Sequence, residues 1–180
     1  MGRLRIPSEA ALFAGILRAG DIPPSRVEDT LEREFGRILL RSEAFLFTES
    51  DYYNEEMGSP IWRSYLAFDR TIPMDGIAEI KRISNRIEEE TFSRNGKRSV
   101  NIDPGYLTSG KVVLATTKDY GHRVYLRDGI YAEVTLRYNA GEKRFTPWEW
   151  TYRDYRKEPT LRFFNELRAL YRGGIAGRGG

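Results

Sequence analysis

Apolar and polar side chains alternate most sharply over two short runs, Arg123-Val124-Tyr125-Leu126 and Ile130 to Leu136. A period of two marks a half-buried strand. Arg127-Asp128-Gly129 lies between them, so a hairpin is predicted. A two-residue Asp-Gly loop would pair Arg127 with Ile130 and set Val124 opposite Glu133, mixing the faces. A one-residue slip reverses every side chain, so a three-residue loop with Gly129 left-handed is preferred. It pairs Leu126 with Ile130, Tyr125 with Tyr131, Val124 with Ala132 and Arg123 with Glu133. His122 then stands at the strand's entrance, toward Val134.

The rest of the chain divides by the same periods. Ala11–Leu17 is almost wholly apolar and reads as a buried central strand. A helix is predicted from Ser25, with Glu28 completing a capping box. Val27, Leu31 and Phe35 form its buried face, and Gly36 ends it. Ile38–Thr48 and Ile61–Phe68 read as strands. Asp51–Gly58, with carboxylates and tyrosines but no period, reads as a loop. Asp75 is expected to cap a helix reaching about Phe92, with Ile77, Ile80, Ile83 and Ile87 as its stripe. Ser99–Asp103 reads as a strand leaving at Pro104-Gly105. Lys111–Thr117 suits a strand or a short helix capped by Thr108 or Ser109 and running to Tyr120; the spacing of breaks favours the helix. Lys143–Trp150 is a further strand, reached through a turn at Asn139–Glu142. Thr160–Tyr171 is an amphipathic helix.

The order β-α-β-β-α-β predicts an α+β fold of ferredoxin-like type. Its antiparallel sheet would be extended by the C-terminal hairpin and meander, and closed by the final helix. Residues 1–8 are expected to be a leader, 9–172 a single domain and 173–180 a disordered Gly-rich tail.

Composition narrows the chemistry. In 180 residues there is no cysteine and one histidine. Thiol nucleophiles, disulfides, cysteine metal sites and two-histidine metal motifs are therefore excluded. A metal site would be built from carboxylates, which suit magnesium or manganese. Asp103, Asp119, Glu133 and Asp154 are candidates, and the loop with Asp51, Glu55 and Glu56 is a second. The net charge is only +3, which argues against a broad nucleic-acid surface. Yet 23 of the 29 basic residues are arginine, a side chain whose planar fork grips phosphate and carboxylate. There is no apolar run of membrane-spanning length and no signal-like N-terminus, so a cytoplasmic protein is expected.

Three stretches carry candidate chemistry. Gly105-x-x-x-x-Gly110-Lys111 matches most of a phosphate-cradling loop, but Val112 stands where a magnesium-binding hydroxyl belongs. Lys118-Asp119-x-x-His122-Arg123 is dense in reactive types. There His122 is a candidate acid or base, oriented by Asp119 or Asp103. Trp148–Arg156 interleaves aromatic rings with arginine, a pattern that suits RNA bases or a packed strand and turn.

The strings N-I-D-P-G-Y-L-T, K-V-V-L-A-T-T-K-D-Y-G-H-R-V-Y-L, D-G-I-Y-A-E-V-T-L and W-T-Y-R-D-Y, with D-Y-Y-N-E-E-M-G-S-P and I-K-R-I-S-N-R-I-E earlier, resemble the domain-of-unknown-function 4416 family of prokaryotic proteins. The likeness runs from about Ala11 to Tyr171. Some members of that family carry a GTP-binding label, but the resemblance implies no residue roles. It points to Tyr52, Tyr53, Glu56, Asn101, Asp103, Lys111, Lys118, Asp119, His122, Arg123, Tyr125, Glu133, Trp150 and Asp154 as positions to test.

The expected function is binding of a phosphorylated or otherwise anionic small ligand, of which a nucleotide is one example. His122, Asp103 and Glu133 are the catalytic candidates. Lys111, Lys118, Arg123, Tyr125, Asn101, Trp150 and Asp154 are the ligand-binding candidates. The alternative is an RNA- or protein-binding module without catalysis.

Overall fold

The computed structural model describes residues 2–50 and 53–175. Its centre is β1 (Ala10–Ala19), whose side chains are buried on both faces of the sheet. β1 is flanked by antiparallel partners on each side, β4 (Ile61–Ile72) and β7 (Val100–Leu107). β2 (Ile38–Arg41) and β3 (Phe45–Leu46) both pair with β4. On the other side β7 meets β8 (Lys111–Thr116), which meets β10 (Ile130–Asn139). β9 (Val124–Arg127) and β11 (Arg144–Pro147) both join β10. The sheet therefore runs β11-β10-β8-β7-β1-β4-β2, antiparallel throughout. β5 (Ser93–Arg94) and β6 (Lys97–Arg98) form a separate two-stranded ribbon.

The alternation along β1 builds two cores. Leu12, Ala14 and Ile16 pack with Val27, Leu31 and Phe35 of α1 (Pro24–Phe35) and with Ile77, Ile80 and Ile87 of α3 (Ile77–Thr91). Ala11 and Phe13 face the other way, onto Leu161, Phe164 and Leu167 of α4 (Glu158–Arg172). The molecule is thus α+β in three layers, with helices on both faces of one large antiparallel sheet. Among the described residues, no helix is long and apolar enough to cross a membrane.

Several local expectations change. Ser25 caps nothing: Pro23 is the N-cap of α1, without a side-chain bond, and Pro24 opens the helix, where a missing N–H costs nothing. Glu28 instead pairs with Arg41 at 2.8 Å. Asp75 lies within a 3₁₀ turn, and Gly76 is the N-cap of α3. The predicted second strand breaks into β2 and β3. The Asp51–Gly58 loop contains a single helical turn, α2 (Asn54–Met57); Asp51 and Tyr52 lie outside the described residues. Lys111–Thr116 is strand, its β-branched run held between β7 and β10. Of the tail expected over residues 173–180, residues 176–180 lie outside the described residues; Gly173 and Gly174 form a turn after α4, and Ile175 is buried against the α4 core.

The hairpin turn is the two-residue Asp128-Gly129, both with positive φ, the geometry that matches strand twist. Arg127 pairs with Ile130, and a register shift follows, leaving Leu126 without a direct partner. Tyr125–Tyr131 and Val124–Ala132 then pair as expected. The three-residue loop expected is thus replaced by a two-residue turn, and one bulge keeps the faces consistent.

Candidate functional site

The pairing of β7 with β8 covers only Gly105–Leu114, Tyr106–Val113 and Leu107–Val112. β7 continues to Val100 against β1, while β8 continues to Thr116 against β10. Pro104 accounts for the parting. It has no N–H to donate, so a ladder on its outer side ends beside it. The expected strand exit at Asp103-Pro104-Gly105 is therefore a split between two strands, and a cleft opens there.

Two cavities that share Tyr53, Lys118 and Tyr152 occupy this cleft. The first, about 210 Å³, is walled by Lys81 and Asn85 of α3, Arg98 of β6, Asn101 and Asp103 of β7, and Thr116–Lys118. The second, about 310 Å³, is walled by Arg63 of β4, Phe47, Glu49, Tyr120 and Asp154.

Arg63 lies at the floor. It is 5% exposed and faces Leu17 across the β1–β4 ladder. Its Nη2 is 2.6 Å from Asp154 Oδ2, and its Nη1 is 3.9 Å from Asp103 Oδ2, beyond hydrogen-bond reach. Nε and Nη1 are buried without a hydrogen-bond partner. Burial alone would weaken the guanidinium's hold on its proton, but Asp154, Tyr65, Tyr155 and Asp103 together outweigh it and the pKa is raised. Gly15 makes the space: a Cβ there would stand 2.9 Å from the Tyr155 hydroxyl and 3.2 Å from Arg63 Nη1.

A chain of charges borders the first cavity. Lys81 Nζ donates to Ile102 O at 2.8 Å and to Asp103 Oδ1 at 3.4 Å, and lies 4.0 Å from Glu88. Asn101 Nδ2 donates to Asp103 Oδ2 at 2.8 Å. Glu88 accepts from Ile102 N at 2.7 Å and from Arg98 at 2.5 Å. Its burial raises the carboxyl pKa against the opposing Lys81 charge. Arg98 also grips Glu56 of α2 with Nε at 2.6 Å and Nη2 at 2.9 Å. That hydrogen bonding holds Glu56 below the usual carboxylate range. Burial, with Asp103 nearby, raises Tyr53, so its hydroxyl stays protonated.

The hairpin cluster stands behind this cleft. Glu133 is 3% exposed and meets Arg123 Nε at 2.7 Å, His122 Nε2 at 3.1 Å and Thr135 at 3.1 Å. Arg123 donates to Lys118 O at 2.9 Å and to the Tyr152 hydroxyl at 2.8 Å, and its guanidinium lies 4.5 Å from the Tyr120 ring centre. It holds three wall residues in place and lines neither cavity. His122 stacks on Trp150 with ring centres 5.6 Å apart, and Trp150 on Trp148 at 5.1 Å.

The ten sequence candidates therefore separate. Asn101, Asp103, Lys118 and Asp154 line the cleft. His122, Arg123 and Glu133 form one bonded cluster behind it, in which His122 meets Glu133 rather than the expected Asp103 or Asp119. Trp150 belongs to the ring stack and donates to Val134 O. Tyr125 is exposed on β9, beside a separate cavity with Pro73 and Leu126. Lys111 begins β8, about 17 Å along the strand from Thr116 at ~3.3 Å per residue. Its glycine pair makes no phosphate loop: Gly105 lies inside β7 and Gly110 in the β7–β8 turn, with no helix following. Among the described residues, no three carboxylate or histidine side chains converge as metal ligands.

Sequence reasoning missed Arg63, Lys81 and Arg98. A signal existed for two of them. Arg63 sits among Ile61, Tyr65 and Ala67 on the inward period of β4. Ile77, Lys81, Ser84 and Glu88 recur at helical spacing on the buried side of α3.

A family model described as a domain of unknown function, number 4416, matches residues 8–171. The chain belongs to that family. No curated protein and no solved structure gives a significant match.

Proposed function

We propose that this protein binds a small anionic ligand in the cleft where β7 and β8 part. The observation that carries the reading is Arg63, buried at the cleft floor with two nitrogens lacking a partner. A buried donor left unpaired costs about 1–3 kcal/mol, and an acceptor oxygen brought by a ligand removes that cost. Lys81, Arg98 and Lys118 line the same opening, the first two in ion pairs with Asp103, Glu88 and Glu56. Arg123, Glu133 and His122 serve the site from behind by holding Tyr152, Tyr120 and the Lys118 backbone. We also read β7-β1-β4-β2, with α1 and α3 as the crossovers, as a ferredoxin-like unit whose outer strand β7 carries the cleft.

The test is a thermal-shift and calorimetry panel of inorganic phosphate, sulfate, small carboxylates and nucleotides. A ligand present at a hundred times its dissociation constant stabilises by about 2.7 kcal/mol. Lys118→Ala, an exposed change, is expected to weaken the response, and Arg63→Gln to abolish it. An anion panel that produces neither a melting shift nor heat would overturn the reading.

A further inference from the structure

Away from the cleft, β9 is where the fold leaves apolar side chains uncovered. Val124, Tyr125 and Leu126 are all exposed, Val124 the most at 68%. Among the described residues, no other three consecutive positions expose large apolar side chains. Apolar side chains clustered on a surface point to a contact site, and tyrosine is enriched in such sites. Among the described residues β9 has β10 as its one strand partner, so its outer side is uncovered as well.

An open depression of about 490 Å³ borders this strand, lined by Pro73, Asp75, Gly76, Tyr125, Leu126 and Arg127. Arg127 pairs with Ile130 and Val124 with Ala132, and both partners pack in the core that holds α3. Directly paired residues share a face, so Arg127 and Val124 stand on the α3 side of the sheet. Asp75 is on that side too, in the turn before α3 whose Met74 packs against the same core. The neighbouring carboxylates Glu79 and Asp128 are taken up by Arg82, at 2.9 and 3.8 Å. Among the described residues, Asp75 and Arg127 have no ion-pair partner and do not pair with each other. One acid and one base are left over at the rim of a largely apolar depression.

Independently of the anion-binding reading, we propose that this surface receives a second copy of the chain, in a two-fold dimer centred on β9. In a two-fold contact residue i meets residue j, and j meets i. The β9 side chains of the two copies cover each other, and Arg127 of each copy reaches Asp75 of the other. Charge complementarity selects this occupant. A surface with one free acid and one free base beside an apolar strip matches itself, whereas an acidic or a basic partner would match one charge and oppose the other. An added peptide strand fits less well. The register shift after Arg127 leaves Leu126 without a direct partner, and a bulge of this kind twists an edge away from further pairing. The contact is made by side chains.

The experiment is sedimentation equilibrium of the full chain over a range of concentrations at neutral pH. Wild type is expected to approach twice the chain mass as concentration rises. Asp75→Arg alone and Arg127→Asp alone each set like charges against each other across the two-fold. Each is expected to weaken dimerisation by about tenfold or more. Mixed in equal amounts, the two variants are expected to form a mixed dimer, because every Asp75–Arg127 contact between them again joins opposite charges. A pair within one chain cannot produce that rescue. Val124→Lys is expected to weaken the dimer by about the same factor. All three positions are exposed, so circular dichroism should show each variant folded, and none lines the cleft, so anion binding is read separately. A wild-type chain that stays monomeric at every concentration overturns the proposal. A dimer that all three variants leave intact places the contact on another face and overturns it too. Single variants that stay monomeric when mixed overturn the reciprocal Asp75–Arg127 contact, and with it the choice of a second copy.

Discussion

Arg123 and Glu133 face each other across the β9–β10 turn with side chains 2% and 1% exposed. A pair this deep contributes little net stability, because desolvating two charges offsets their attraction. Breaking it is another matter, since the surviving carboxylate stays buried. Arg123→Ala is expected to destabilise the protein by about 3 kcal/mol, read as a lower midpoint in urea. The double change Arg123→Met with Glu133→Leu should recover much of that loss. If the single variant unfolds at the wild-type midpoint, Glu133 has found water and the site behind the cleft is looser than described. The pairing was legible only through the register chosen to keep the faces consistent; the turn closes with two residues, and the register shift after Arg127 restores that register. What requires glycine at 105 was not legible. A glycine before a Gly-Lys pair resembles a phosphate loop, but this one is required by close approach. A Cβ there would lie 2.4 Å from Phe13 Cζ and 2.4 Å from Val113 O, contacts that no local pattern reveals.

At the scale of elements, Tyr53 and α2 after it form a short strap beside the second half of the cleft, and Phe47 and Glu49 border the same half. The fastenings are ionic. Glu56 is gripped by Arg98 through two nitrogens, and Glu49 meets Lys157 at 2.5 Å. Glu56 has a folded pKa lowered from 4.5, chiefly by the Arg98 hydrogen bond. A lowered carboxylate stabilises the fold above its unfolded pKa, and that contribution fades as pH falls through the folded value. Wild type is therefore expected to melt above Glu56→Gln at neutral pH, and the gap should close below about pH 4.5. Parallel melts from pH 7 to pH 3 check this. A gap constant with pH would mean that the strap is held by packing instead. Little of the strap was legible beforehand. Its helix is one turn long, too short to show a period, and its partner Arg98 lies 42 residues away. The β8 segment failed differently. Val112, Val113 and the threonines signal strand, but reading Asp103-Pro104-Gly105 as an exit left no neighbouring strand to receive it. In fact the proline removes pairing on one side only.

For the whole molecule, the three-layer arrangement makes the cleft depend unequally on its two cores. Phe164 of α4 is fully buried; its ring lies 4.8 Å from Phe13, 5.5 Å from Tyr65 and 5.9 Å from Tyr155. Tyr65 and Tyr155 in turn face Arg63, at 5.5 and 5.7 Å from its guanidinium. Phe68 is as deeply buried on the other face and packs on Phe35 at 5.6 Å. It lies five residues along β4 from Arg63, about 17 Å at the usual strand rise. Truncating either ring to alanine removes a similar volume and is expected to cost about 3–5 kcal/mol. Their effects on binding should differ. Phe164→Ala lets Tyr155 and Tyr65 relax, and with them the guanidinium that the proposed ligand would meet. Phe68→Ala leaves that stack intact. Both variants should therefore show the same lowered midpoint in denaturant, while only Phe164→Ala weakens the anion response in calorimetry at a temperature where both are folded. Equal weakening would mean that the cleft senses global stability alone. Unchanged binding in both would detach Arg63 from the ligand, leaving its buried donors as a structural cost of the Gly15 cavity.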